Sequence, residues 1–128
     1  MIHWCDFACH MSSPSATTPL GNVPARPSFR RLGSAPRALR MSRSSPGRYS
    51  LHDFAKNVYD VHAFAADGRE IQTTRPDPYG WNVTGHGGSV TVKYKVFGDR
   101  VDGTYLAIDT THAHINMPSA IMWAHGLD

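Results

Sequence analysis

The sequence predicts a mainly β protein, a partial antiparallel β-sandwich with a disordered N-terminal tail. One segment alternates strictly between apolar and polar residues, as a strand with one buried face does. Further short strand candidates follow each other at intervals of about 8–12 residues, separated by Gly- and Asp-containing turns. We count five to six strands, which is few for a complete sandwich, and almost no helix.

The clearest element is SVTVKYKVF, residues 89–97. Val90, Val92, Tyr94 and Val96 point to one side of the predicted strand, whereas the intervening Thr and Lys side chains point to the other. The first set is therefore expected to face a core and the second to face water.

The remaining strands are shorter, and turn residues mark their ends. Asp-Gly at 67–68 predicts a hairpin turn, and Pro in RPDP (75–78) is expected to end a strand because it lacks an N–H. Ser50 is predicted to cap a short helix over residues 50–57, with Phe54 and Leu51 facing inward. The strand candidates are VYDVHAF (58–64), REIQTT (69–74), YGWNVTG (79–85) and TYLAIDT (104–110).

The first part of the chain differs in composition from the rest. Residues 1–50 contain seven Arg and one acid, Asp6, whereas residues 51–128 contain six Lys or Arg and nine Asp or Glu. Residues 1–38 are rich in Ser, Pro, Ala and Arg, and their few apolar side chains are isolated, so we predict this segment to be mostly disordered. Its arginines follow no period and few aromatics accompany them, so no nucleic-acid partner is expected.

Export and membrane signals are not recognisable in the sequence. No run of 18 apolar residues is present, so no membrane span is expected. The first residues lack the basic start and apolar core of a signal peptide. The compartment of the protein is therefore left unknown.

Two groups of side chains, one of Cys and His and one of His alone, could bind a metal. Cys5, Cys9, His3 and His10 crowd into one short stretch, which is a poor arrangement for a zinc site, since such sites usually take their second pair of ligands from a distant segment.

The second group lies in DTTHAHINMP, residues 109–118. In a strand, His112 and His114 would lie on one face, about 6.5–7 Å apart. With a distant third ligand such as His86 or His125 they would make an independent metal-binding β-module, which stays open as an alternative.

Catalytic motifs are not found in the chain. Zinc hydrolases with H-E-x-x-H need a Glu directly after a His, and no His here precedes a Glu. The only glutamate, Glu70, lies beside the predicted hairpin turn, and G-x-S-x-G is absent. Whether the chain is part of an enzyme is left uncertain, and alone we expect it to be inactive.

The run LRMSRSSPGRYSLHDFAKNVYDVHAF, residues 39–64, resembles the N-terminal domain of the glycyl aminopeptidase family. Pro46, Gly47 and Tyr49 match the Ser-Pro-Gly-x-Tyr turn of that family, and residues 54–57 match the segment after it. Ser44 stands where the family usually has a tryptophan. The resemblance extends through residues 39–128, which we take as the domain.

This resemblance implies a non-catalytic β-sandwich domain from a PDZ-containing zinc metallopeptidase. The zinc, its H-E-x-x-H ligands and the PDZ domain would then lie outside this chain, which would be truncated before the catalytic domain. Its partners would be those missing domains and, in the parent, a peptide substrate. His112, His114, Asn116 and Met117 are the candidate interface or substrate-cleft residues, and the apolar residues 121–123 are expected to meet the same neighbour.

Overall fold

The structure is a computed structural model that describes residues 22–47, 49–98, 102–109 and 111–126. The Cys5, Cys9, His3 and His10 group lies outside these residues, as does the first part of the predicted disordered tail.

Short strands dominate the described residues. A 3₁₀ turn at Phe54–Asn57 and one short helix, α1 (Met117–Ala120), are the helical elements there. No helix among the described residues is long and apolar enough to cross a membrane. The strands are β1 (Asn22–Ala25), β2 (Ser28–Phe29), β3 (Arg37–Met41), β4 (Val58–Ala65), β5 (Glu70–Ile71), β6 (Thr73–Asp77), β7 (Gly80–Val83), β8 (Val90–Phe97), β9 (Ala107–Ile108), β10 (Ala113–His114) and β11 (Met122–Ala124).

The strands form two main sheets and one small ribbon. In the first sheet the order is β1-β8-β4-β5, with β2 also paired to β8. The second sheet has the order β11-β3-β7-β6, and β9 pairs with β10 separately. All the pairs are antiparallel. The predicted mainly β, antiparallel fold is confirmed.

The core contains side chains from both main sheets. On β8, Val90, Val92, Tyr94 and Val96 are buried, as their alternation predicts. The second sheet contributes Leu39, Trp81, Val83 and Met122 to the same cluster. Burial of apolar side chains from both sheets in one cluster is the main stabilising contribution. The core residues are Ala25, Phe29, Leu32, Leu39, Met41, Phe54, Ala55, Val58, Ala63, Ile71, Trp81, Val83, Val90, Val92, Tyr94, Val96, Tyr105, Leu106, Ala120, Met122 and Ala124.

Residues 22–38 contain β1, β2 and the start of β3, so the predicted disorder of this described part of the segment is corrected. Phe29 is buried on β2, which pairs with β8. Leu32 is fully buried, and its N–H donates to Gly88 O at 2.9 Å. These isolated apolar residues become core residues because β8 and the turn before it supply partners distant in sequence.

The predicted helix over residues 50–57 is reduced to a single 3₁₀ turn. Asp53 rather than Ser50 precedes it, and its side chain makes no capping hydrogen bond. Phe54 is buried as predicted, but Leu51 is 71% exposed. Two turns without a cap are too short to hold a helix, so packing of Phe54 decides the conformation.

RPDP does not end its strand, since β6 continues through Pro76 to Asp77. β6 is an edge strand, where a missing N–H costs no ladder hydrogen bond. The pairing with β7 shifts register between Thr74 and Asp77 around this proline.

The predicted strand over residues 104–110 is also shorter than expected. Among its described residues, 104–109, only Ala107–Ile108 is a strand, β9. Tyr105 and Leu106 are adjacent and both buried, so the expected alternation of faces does not occur. Met122, expected in an exposed interface patch, is instead fully buried, because β11 pairs with β3 and brings it into the core.

Candidate functional site

The DTTHAHINMP segment forms the β9–β10 ribbon and the approach to α1. Its turn is closed by a hydrogen bond from Asp109 N to His112 O at 2.9 Å. Asp109 Oδ1 accepts from the N–H groups of Thr111 and His112, at 2.6 and 2.7 Å. The hydrogen bonds from Thr111, and then from the His112 backbone, lower the pKa of Asp109. The Asp109 carboxylate therefore stabilises the turn.

The histidines of the proposed metal module do not form one site. The His112 side chain is 85% exposed, and His114 is exposed, with Nε2 3.4 Å from Gly103 O. His86 is 2% exposed, and its Nδ1 accepts from Gly88 N, which leaves Nε2 to donate to Ala35 O. His125 is exposed and its ring lies beside that of Trp123.

The described ranges hold no group of three or more His, Cys, Asp or Glu side chains that could bind a metal ion. His86 in particular already uses both ring nitrogens within the chain. The alternative built on His112 and His114 therefore lacks a third ligand among these residues.

Hydrogen bonds from the Asn116 side chain connect three loops. Its Nδ2 donates to Ser45 Oγ at 3.0 Å and to Thr104 O. Ser45 precedes the Pro46-Gly47 turn, and Gly47 adopts a positive φ of 78° that suits glycine. The amide thus holds the turn motif against the segment that enters α1.

We name the exposed apolar side chains of these joined loops the loop face: Tyr49, Leu51 and Met117. Their residues are 108%, 71% and 51% exposed. Tyr49 and Leu51 follow the turn held by Asn116, and Met117 is the next residue after Asn116. Large apolar side chains exposed together on neighbouring loops are typical of a contact surface.

A second cluster of polar side chains lies on the outer face of the first sheet. His62 Nδ1 is 2.7 Å from Glu70 Oε1, and His62 Nε2 is 3.0 Å from Asp60 Oδ1. Asp60 Oδ2 also pairs with Lys95 Nζ at 2.7 Å. Asp60 has a φ of 56°, at an irregularity where β4 shifts register against β8.

These contacts shift three pKa values. An imidazole ring can donate from both nitrogens only when protonated, so two carboxylates, first Glu70 and then Asp60, raise the pKa of His62. Lys95 and then His62 lower the pKa of Asp60. In turn, Asp60 raises the pKa of Lys95.

Sequence reasoning missed this cluster, although a partial signal was present. Asp60 and His62 are two apart in a predicted strand, and the Asp-Gly turn places Glu70 on the adjacent strand. Pairing of Phe64 with Glu70 then sets the hairpin register.

A groove of about 370 Å³ runs beside the cluster. Its floor belongs to the central strand β8, and its two walls come from β1 and β4. Its lining residues are Pro24, Ala25, Arg26, Asp60, His62, Lys93, Tyr94 and Lys95.

Comparison with known proteins identifies the domain. A family model described as peptidase M61 N-terminal domain matches residues 21–128. The crystal structure of an aminopeptidase N family protein from Idiomarina loihiensis is similar in fold, with a TM-score of 0.74 and 18% sequence identity. The match covers 83% of this chain and 18% of that protein. No curated protein sequence matches. Because the family match spans most of the sequence, the chain belongs to the family of M61 peptidase N-terminal domains.

Proposed function

We propose that this chain is the non-catalytic N-terminal β-domain of a glycyl-aminopeptidase-like zinc peptidase, and that it supports the substrate cleft of the catalytic domain. In this proposal the loop face contacts the catalytic domain. His112 and His114, on the adjoining ribbon, lie at the border of the cleft, where a peptide substrate would pass.

The observation that carries this proposal is the loop face itself. Tyr49, Leu51 and Met117 are the largest exposed apolar side chains of two loops that the Asn116 amide holds together. The hydrogen bond from Asn116 to Ser45 fixes the start of one loop against the other, which lowers the ordering cost of a contact made by both. Two comparisons support a covalently linked partner. The chain matches the model of an N-terminal peptidase domain, and the similar solved structure is a much longer protein, of which the match covers 18%.

The zinc of the proposed parent would be held outside this chain. The described residues do not fit a zinc site, since the exposed His112 and His114 have no third ligand beside them. The same proposal places the PDZ domain beyond the catalytic domain.

The first test is to sequence the DNA on both sides of this reading frame. An H-E-x-x-H segment downstream, in any frame, supports the proposal. Unrelated sequence there contradicts it.

The second test measures assembly of this chain with the separately expressed remainder of that peptidase. We expect Leu51→Asp and Met117→Asp to weaken the complex, because each places a carboxylate in the proposed apolar contact. Calorimetric titration of the two parts measures the dissociation constant.

Ala66→Asp is the matched control. Ala66 is exposed in the β4–β5 turn, at the end of β4 opposite the 3₁₀ turn, and about 20 Å of strand separates the two ends. Equal weakening by the control and the loop-face variants would place the contact elsewhere on the domain.

A further inference from the structure

The groove on the outer face of the first sheet is built by three strands with fixed register. β8 lies between β1 and β4. Pro24 of β1 lies opposite Lys95, and on β4 Tyr59 lies opposite Lys95 and His62 opposite Lys93, so each wall is a strand paired with β8. The groove is therefore anchored on the central strand of the sheet rather than on a loop.

The charge of this groove is positive. Arg26, Lys93 and Lys95 line it, and Asp60 is the single carboxylate among the lining residues that the structure describes. Asp60 already accepts from Lys95 and His62, so its negative charge is largely compensated within the chain. The cation at Lys95 is compensated by the same contact.

Arg26 and Lys93 are different, because within the described part of the chain neither has a carboxylate partner. Lys93 Nζ lies 4.6 Å from the centroid of the Phe64 ring, which fixes the position of the ammonium group over the sheet. Arg26 is exposed at the end of β1, on the opposite wall from His62. Two uncompensated cations lining one groove are suited to a ligand with negatively charged oxygens.

We propose that this groove binds an oxyanion, a carboxylate or phosphate group, through Arg26 and Lys93. The planar guanidinium of Arg26 suits a bidentate contact with two such oxygens, and Lys93 supplies a point charge from the floor. The Asp60–His62–Glu70 contacts fix the far wall. This site is distinct from the loop face and is tested on this chain alone, so its failure leaves the proposed domain contact unaffected.

The test is a titration of the isotope-labelled 128-residue chain, followed by amide chemical shifts at constant ionic strength. One arm uses inorganic phosphate and the other a blocked tri-glutamate peptide. We expect saturable shifts at the amides of Arg26, Lys93 and Lys95. Tighter binding of the peptide identifies a protein carboxylate as the ligand source, and tighter binding of phosphate identifies a free phosphate.

Arg26→Gln and Lys93→Gln are each expected to weaken binding about tenfold, the loss of roughly one charge-assisted hydrogen bond. Arg69→Gln removes the same charge from the β4–β5 turn, where Arg69 faces Asp67, and is expected to leave binding unchanged. Unchanged amide shifts on β3 and β7 of the second sheet in the free variants show that the fold is intact. Shifts that do not saturate in either arm, or that fall equally in Arg69→Gln, overturn the proposal.

Discussion

Asn116 and Ser45 are 71 positions apart in the sequence and are joined by a hydrogen bond of 3.0 Å from Asn116 Nδ2 to Ser45 Oγ. The same nitrogen donates to Thr104 O. One half-buried amide therefore connects the Pro-Gly turn, the segment before β9 and the start of α1. The geometry of the loop face depends on this contact.

Asn116→Ala is expected to destabilise the domain by about 1–3 kcal/mol, because Ser45 Oγ and Thr104 O each lose a donor in a partly buried setting. Urea unfolding followed by circular dichroism measures the free energy of unfolding. Gln72→Ala, at an exposed position between β5 and β6, is the control and is expected to change it by less than about 0.5 kcal/mol. Equal effects of the two substitutions would contradict the role of the amide.

Tyr94→Phe is expected to cost about 1–3 kcal/mol of stability. The buried Tyr94 hydroxyl donates to Ala120 O at 2.8 Å and accepts from Met122 N at 3.1 Å, so it connects β8 with the opposite sheet. Thermal unfolding and urea titration measure the loss. Tyr49→Phe removes the same atom from a fully exposed ring and should have no measurable effect. An unchanged free energy of unfolding in Tyr94→Phe would contradict this contribution of the hydroxyl.

Gly98→Ala is expected to destabilise the domain by about 1–3 kcal/mol or more through overpacking. A methyl group there would clash with Leu106 Cβ and lie 3.0 Å from Leu106 O. Leu106 is fully buried and has no room to move aside. The midpoint of urea unfolding measures this effect.

Gly85→Ala serves as the comparison for Gly98→Ala. Nothing lies within 4 Å of the added carbon, and only the positive φ of 73° opposes the change, at a cost of about 1 kcal/mol. A larger loss from Gly85→Ala than from Gly98→Ala would contradict the packing argument.

The stability of the domain is expected to depend on pH through His62. Its pKa is raised above 6.5, so its contribution is fully present below that pH and is lost as pH rises through the raised value. The lowered pKa of Asp60 acts in the opposite range, and its contribution is lost as pH falls below 3.8 through the lowered value.

The pKa of His62 can be measured directly from the proton resonances of its ring as a function of pH. We expect a midpoint above 6.5 in the unaltered chain and a lower midpoint in Glu70→Gln, since Glu70 is the largest cause of the shift. A midpoint unaffected by Glu70→Gln would contradict the hydrogen bond between the two side chains.

Part of this fold could be predicted because some segments carry their own local signal. The alternation of β8 follows from side-chain period alone, and Asp67-Gly68 leads to the β4–β5 hairpin with Gly68 at a φ of 85°. The Pro46-Gly47 turn was likewise readable from residue type. The family resemblance, drawn from the same stretch and its continuation, agrees with the M61 N-terminal domain match.

The candidate sites could be predicted less well from the sequence than the fold. His112 and His114 attracted interest because two histidines stand close in sequence, yet they are exposed and lack a third ligand among the described residues. His62 became significant only because a bulge turns Asp60 toward it and the hairpin register brings Glu70 beside it. Contacts between side chains on neighbouring strands depend on the strand register, which the order of residues alone does not specify.

The β class, the strongest strand and the turns could be predicted from the order of residues, because they depend on side-chain period and on the dihedral angles of Gly and Pro. Tertiary packing selects the isolated apolar residues that enter the core. Phe29 and Leu32 are buried through β8 and Gly88, and Met122 through its pairing with β3. The reason is physical: burial depends on partners far along the chain, and local composition contains no information about which partner a short segment will meet.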